Sequence, residues 1–175
     1  MNDSNLKIYV MTHKKADVLS DDVYTPLLLG ACNHEDNYGY LCDNVGENIS
    51  DKNSSYCELT GLYWLWKHSD ADYVGLVHYR RYFINGFLGD YLSKEDVFRY
   101  LKDYDIIVPI KSKSCGGSVI EEAIRFFISQ KDLDKVREII LEIYPDYIND
   151  FDNFINGHEM HCNCMFISSK KLIDE

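Results

Sequence analysis

Residues 44–83, NVGENISDKNSSYCELTGLYWLWKHSDADYVGLVHYRRYF, carry the reading on which the fold depends. A polar, turn-rich loop at 43–50 leads into Ser55-Tyr56-Cys57-Glu58, where Ser and Glu three apart form a capping-box signature for a helix starting near Tyr56. Within that helix Leu59, Leu62, Tyr63 and Trp66 recur at helical spacing and are expected to form its buried face, with Trp64 off the stripe. Tyr73-Val74-Gly75-Leu76-Val77 is then a short apolar run without alternation, the pattern of a strand covered on both faces in a parallel α/β sheet. It ends in His78-Tyr79-Arg80-Arg81. Parallel sheets take ligands outside the carboxyl ends of their strands. Guanidinium groups, planar and permanently charged, suit diphosphates and carboxylates. The doublet at a strand end therefore points to an anion site; the alternative is pairing with surface acids.

On the amino-terminal side, residues 6–11 (LKIYVM) form a first strand that empties into Thr12-His13-Lys14-Lys15. In a nucleotide-binding α/β domain that loop faces the base or ribose, with a lysine free to reach a phosphate. Residues 21–31 read as a loop or short helix with Pro26 near its start, and 38–42 as a weak second strand. On the other side, residues 83–92 contain two glycines and read as a mobile loop over the site. Ser93 caps a helix at 94–102, and residues 105–110 form a buried strand that Pro109 ends. Residues 111–118 make a polar loop with Gly116 and Gly117, a phosphate-loop signal without the Walker pattern. Amphipathic helices follow at 119–130 and 133–144, a short one at 146–155, and a last strand at 162–167. The final residues read as the first turns of another helix. The expectation is one domain over 1–175, lacking carboxyl-terminal helices.

With 175 residues, 46% hydrophobic and 27% charged, the chain has the composition of an ordinary globular domain rather than a disordered one. Fourteen tyrosines and eight phenylalanines suit stacking on sugars as well as filling a core. A net charge of -11 argues against a nucleic-acid partner, which needs clustered Lys and Arg. No apolar segment approaches the ~20 residues that span a bilayer, and the start lacks a signal peptide. A cytoplasmic place follows, with peripheral association at the inner face of the membrane left open. The six cysteines include no C-x-x-C pair and read as reduced thiols.

Three constellations compete as the seat of chemistry. His158, His161, Cys162 and Cys164 are zinc-ligand types at a non-standard spacing. Cys57 and His78 are a nucleophile and a base without an activating signal. The third is a site shared by the strand ends that carry Lys14, Arg80 and His158, which needs only a parallel-sheet topology. Glu58, Asp43, Asp105 and Glu159 are candidates for a catalytic base.

The segments NISDKNSSYCELTGLYWLWKH, YVGLVHYRRYF, DIIVP and GHEMHCNCMFISSKKLIDE resemble a bacterial family long catalogued as a domain of unknown function. That family occurs in capsule, exopolysaccharide and O-antigen gene clusters, often at the amino end of larger glycosyltransferases. The resemblance covers nearly the whole chain. It implies a GT-A-like fold, a three-layer α/β sandwich with a mostly parallel central sheet. It also implies transfer of a sugar from a nucleotide-diphosphate donor (a UDP-hexose, with UDP-galactofuranose among the options) to a glycan or lipid-linked oligosaccharide acceptor of a growing surface polysaccharide. The runner-up is a non-catalytic nucleotide-sugar or glycan-binding module of a larger polymerase. By resemblance, Thr12, His13 and Lys14 meet the nucleotide, and Asp43, Asn44 and Asn48 match the pattern before the helix. Arg80, Arg81 and Asn163 complete the donor side, and His78, Glu58 and His158 are the catalytic candidates. Asn163 opens a segment in which Cys164 and Met165 replace the small residues of retaining GT-A enzymes. Such enzymes commonly hold Mg or Mn with an Asp-x-Asp at a central strand end. Here that end reads His78-Tyr79-Arg80-Arg81, and Asp70-Ala71-Asp72 precedes the strand as a turn. No cofactor is therefore firmly assigned, a divalent Mg or Mn ion stays open, and the two arginines are expected to supply the charge a metal would give.

Overall fold

A computed structural model of the chain describes residues 4–86 and 89–175. Contacts divide it into two compact units, Met1–Pro109 with Asn163–Glu175, and Ile110–Cys162. In chain order the elements are β1 (Leu6–Thr12), β2 (Tyr24–Leu28), β3 (Leu41–Cys42), α1 (Asn53–Tyr56), α2 (Leu59–His68), β4 (Tyr73–His78), α3 (Lys94–Tyr100) and β5 (Ile106–Ile107). They continue as β6 (Lys111–Lys113), α4 (Val119–Phe126), α5 (Gln130–Ile143), α6 (Ile148–Asn156), β7 (Glu159–His161), β8 (Phe166–Ser169) and α7 (Lys170–Asp174).

The larger unit is built on a six-stranded sheet in the order β3-β2-β1-β4-β8-β5. β1, β2, β3 and β4 are parallel, and β8 runs antiparallel to β4 and β5. This is the mixed α/β architecture with a mostly parallel sheet that the sequence implies. Side chains of β1 alternate between two buried layers: Tyr9 and Met11 pack with Trp64 and Leu65 of α2 on one face, and Ile8 and Val10 pack with Val97 of α3 on the other. Each fully buried Leu or Val contributes about 1.5–3 kcal/mol. The smaller unit pairs β6 with β7 and carries α4, α5 and α6. Capping boxes start α3, α4 and α5 at Ser93, Ser118 and Ser129.

Three expectations are corrected. Residues 24–28 are a strand, not a loop or helix, although Pro26 sits in its middle opposite Val10. Val23 accepts from Ile8 and Leu29 donates to Thr12, so alternation turns the Pro26 nitrogen away from β1. On that other side β3 begins pairing only at Leu27, and the missing N–H leaves no gap in the ladder. Second, the helix does not begin in a Ser55 capping box. A single turn, α1, is broken at Cys57 (φ 47°, ψ −125°), and α2 starts at Leu59 without a side-chain cap. Third, α2 buries Thr60, Gly61, Trp64 and Leu65, and the stripe of Leu59, Leu62, Tyr63 and Trp66 instead lines an open groove of about 470 Å3. The helix is apolar nearly all round, so periodicity alone does not choose its face. Gly61 does: a Cβ there would lie 2.5 Å from Met11 Sδ and 2.6 Å from Leu29 Cδ2, so the helix approaches the sheet where it has no side chain. The expected loop at 83–92 includes Phe87 and Leu88, which lie outside the described residues; on either side of them Ile84 and Tyr91 form an antiparallel bridge.

Asp43, read from the sequence as a donor-binding residue or base, is fully buried and is a structural hub. Its carboxylate accepts from the Gly30 N–H (2.9 Å), the Ala31 N–H (3.0 Å), the Thr60 hydroxyl (2.7 Å) and the Ser50 hydroxyl. These bonds tie the end of β2 to the first turn of α2. Asp43→Ala strands two buried N–H groups and two hydroxyls. At about 1–3 kcal/mol per unsatisfied group, with the hydroxyls able to turn elsewhere, the expected loss is about 3 kcal/mol. A lowered urea midpoint checks it, and an unchanged midpoint would show that the hub is dispensable.

Candidate functional site

The chain lays down β1, β2 and β3 outward in one direction, then crosses by α2 to place β4 on the other side of β1. Strand order therefore reverses between β1 and β4, and the crevice at their carboxyl ends is the place where open α/β sheets bind ligands. The residues that follow both strands meet there. Thr12 is buried, and its hydroxyl donates to the Lys14 carbonyl (2.6 Å) while accepting from the Lys14 N–H (3.3 Å), which folds the loop after β1 into a tight turn. This sends His13 and Lys14 toward Tyr79, the first residue after β4. The His13 ring meets the Tyr79 ring edge-on at 5.5 Å, Lys14 Nζ lies 5.6 Å from its centroid, and Arg80 Cζ lies 4.9 Å from it. Exposed cation–π contacts are worth about 0.5–1 kcal/mol each, enough to bias these side chains together but not to consume their charge. Among the described residues, no ion pair joins Lys14, Arg80 or Arg81 to a carboxylate. Pairing with surface acids thus does not account for them.

His78 occupies the last position of β4 and is 8% exposed. Its backbone exchanges hydrogen bonds with Arg81, closing the turn that carries Tyr79 and Arg80. Side chains alternate along β4, so His78 points with Val74 and Leu76 to the face that α2 covers. There Nδ1 lies 3.1 Å from Glu58 Oε1, just before α2. The sequence singles out both residues without pairing them. Burial pushes the imidazole below its ordinary value of 6.5; the Glu58 carboxylate opposes this, Arg81 reinforces it, and the Cys164 carbonyl favours the protonated ring. Among the described residues Nε2 has no hydrogen-bond partner.

The other predicted residues are distributed as follows. Asn163 is exposed with a left-handed backbone (φ 66°) beside Cys164, on the approach to β8. Asn44 and Asn48 belong to a loop that fastens itself, the Asn48 amide donating to the Asn44 and Gly46 carbonyls while its oxygen accepts from the Ser50 N–H. His158 lies in the smaller unit with Nδ1 2.8 Å from the Gly117 carbonyl. In the same unit residues 111–113 form β6, and acids of α4 cap the following glycine loop: Glu122 takes the Cys115 N–H and Glu121 the Ser118 N–H at 2.7 Å. Several of that loop's N–H groups are thus taken internally, the Gly116 N–H by the Ser114 carbonyl among them. The His78 ring meets a carboxylate rather than the Cys57 thiol, and all six cysteines are free, four of them exposed. No group of three or more His, Cys, Asp or Glu gathers at metal-binding distance among the described residues.

The pKa shift of His78 sets a pH dependence. The folded chain binds this proton less readily than the unfolded chain, so its contribution to stability is complete above about pH 6.5 and is lost as pH falls below it. Unfolding free energies measured between about pH 7.5 and about pH 5 are expected to decline less steeply in His78→Gln than in the wild type.

The chain superposes on a WbbM bifunctional glycosyltransferase, solved in its apo form, with a TM-score of 0.83 and 26% sequence identity, over 97% of this chain and 35% of that one. It therefore spans about a third of that protein's length, and the likeness is consistent with a GT-A-like fold. No curated protein matches it. The sequence profile described as "Domain of unknown function (DUF4422)" matches residues 7–175, and the chain belongs to the DUF4422 family.

Proposed function

We propose that this chain is a glycosyltransferase domain that binds a nucleotide-diphosphate sugar at the β1–β4 crevice and passes its sugar to a growing surface polysaccharide. The observation that carries the reading is the convergence of two unneutralised cations, Lys14 and Arg80, on Tyr79 beside the His13 ring, in a chain of net charge -11. Such a chain repels anions at long range, so a compact cationic cluster at a strand-order reversal serves a ligand whose own charge is concentrated, as in a diphosphate. Likeness to a bifunctional glycosyltransferase supports the same reading. A UDP-hexose is the proposed donor, with UDP-galactofuranose the first to try. A glycan or lipid-linked oligosaccharide is the proposed acceptor, and the cytoplasmic face of the membrane the proposed workplace. No helix among the described residues is long and apolar enough to cross a membrane.

In this reading the β4 end works without a divalent ion: two arginines and a buried imidazole stand there with a single carboxylate, Glu58, and Asp72 lies before β4, its Oδ2 taking the Asn5 N–H at 2.7 Å. In this reading Arg80 and Arg81 meet the charge that grows on the departing diphosphate.

Two outcomes test the proposal. Hydrogen bonds to charged groups contribute about 1.5–3 kcal/mol, so Arg80→Ala is expected to weaken UDP-sugar binding by about 10- to 100-fold in calorimetry, with the circular dichroism spectrum unchanged. UDP release from the sugar donor is expected to be undiminished in EDTA, and strict dependence on Mg or Mn would sink the arginine role. Glycan binding without donor binding would favour a non-catalytic module instead.

A further inference from the structure

We propose that Glu58 is the general base of this transfer and that His78 is the positioning residue that aims it; the inference rests on the donor-site reading above. Position is the first argument. α2 returns from β3 to β4, both parallel, so its first turn lies at the carboxyl end of the sheet, and Glu58 stands just ahead of it. Its partner His78 is the chain neighbour of Tyr79, around which the diphosphate is expected to sit.

The state of the carboxylate is the second argument. Oε1 is held by His78 Nδ1 at 3.1 Å, Oε2 has no hydrogen bond among the described residues, and the side chain is 35% exposed. One oxygen is therefore fixed and the other is open to an incoming hydroxyl. The ring that fixes it is buried, with the Cys164 backbone close by and Nε2 meeting no well-aligned hydrogen-bond partner among the described residues. The groups that face it are Glu58, Arg81 and the Cys164 carbonyl.

Backbone strain is the third. Cys57, immediately before Glu58, sits at φ 47° and ψ −125°, a conformation that L residues rarely adopt. It is pinned there from both sides: its N–H donates to the Asn53 carbonyl (2.9 Å), and its carbonyl accepts from the Asn53 amide (2.9 Å) and the Thr60 hydroxyl (3.2 Å). The same Thr60 hydroxyl is tied to Asp43. The hub, the strained residue and the carboxylate thus form one continuous support.

The other candidate bases are placed elsewhere. Asp43 is filled by four donors. β5 runs in the same direction as β4, since both are antiparallel to β8, so Asp105 lies at the amino end of the sheet. Glu159 belongs to the smaller unit, paired with Lys111 at 3.6 Å.

In the step itself the acceptor oxygen bonds to the anomeric carbon while its proton passes to Glu58 Oε2. The bond from the anomeric carbon to the diphosphate oxygen breaks, and its electron pair leaves on the nucleoside diphosphate. A single displacement of this kind inverts the anomeric centre.

The test uses UDP-galactofuranose, UDP-galactose and UDP-glucose, with water as acceptor, reading UDP release and, by calorimetry, donor binding. Glu58→Gln is expected to lower kcat by about 10²- to 10⁴-fold with the donor Kd within about threefold of wild type. Glu58→Asp, which keeps the charge but draws it back, is expected to retain more turnover than Glu58→Gln. His78→Gln is expected to lower kcat while leaving the donor Kd within about threefold of wild type, a split that a loosened fold alone would not give. Turnover in Glu58→Gln within about threefold of wild type overturns the proposal. So does parallel loss of donor binding and turnover, which would make Glu58 a binding residue. Wild-type chain that binds a donor but never releases UDP overturns the base while sparing the donor site, and wild-type chain that binds none of the three overturns both.

Discussion

Four donors close on the carboxylate of Asp43, two from the backbone at Gly30 and Ala31 and two from the hydroxyls of Ser50 and Thr60. A charge removed from water survives only when its lone pairs are used, so this geometry locates each donor segment relative to the others. The consequences run outward from it. Thr60 sets the start of α2, Gly61 lets that helix close on Met11 and Leu29, and Trp64 and Leu65 then fill the layer over β1 and β4. Glu58 reaches His78 because the helix start is fixed in this way.

The second constraint is electrostatic. Strand ends at a reversal of strand order point their loops into one crevice, and the loops here bring His13, Lys14 and Arg80 to a single tyrosine. The rest of the chain is strongly acidic, and some of its acids serve caps and pairs of their own, such as Asp96, Glu121 and Asp132 at helix starts and Asp152 with Arg137. Lys14 and Arg80, by contrast, meet no carboxylate in an ion pair among the described residues. The proposed diphosphate-bearing donor carries the opposite, concentrated charge.

Much of this was legible in residue order, because it depends on neighbours within a few positions. The apolar runs of β1 and β4 and the Ser-x-x-Asp start of α3 declare themselves through spacing alone. That the basic residues after β1 and β4 share one edge was also legible, since a parallel sheet puts both strand ends there. β2 escaped because Pro26 argues against a strand interior, and only the late start of β3 makes it harmless. The face of α2 escaped because apolar residues surround the helix, and a glycine rather than the larger side chains decides what is buried. Asp43 looked like a ligand contact because a carboxylate in a polar loop gives no sign of burial; its four partners come from positions 30, 31, 50 and 60.

By itself, then, the amino-acid sequence determined the α/β class, the strands whose ends meet at the crevice and the chemical types available there. These follow from local periodicity and from residue chemistry. Tertiary structure alone decided which carboxylate is buried as a hub and which is left with a free oxygen, and that Glu58 meets His78. Those choices turn on contacts between separate segments, 7 to 17 residues apart at Asp43 and further still between Glu58 and His78, where packing, desolvation and backbone strain are settled together rather than position by position.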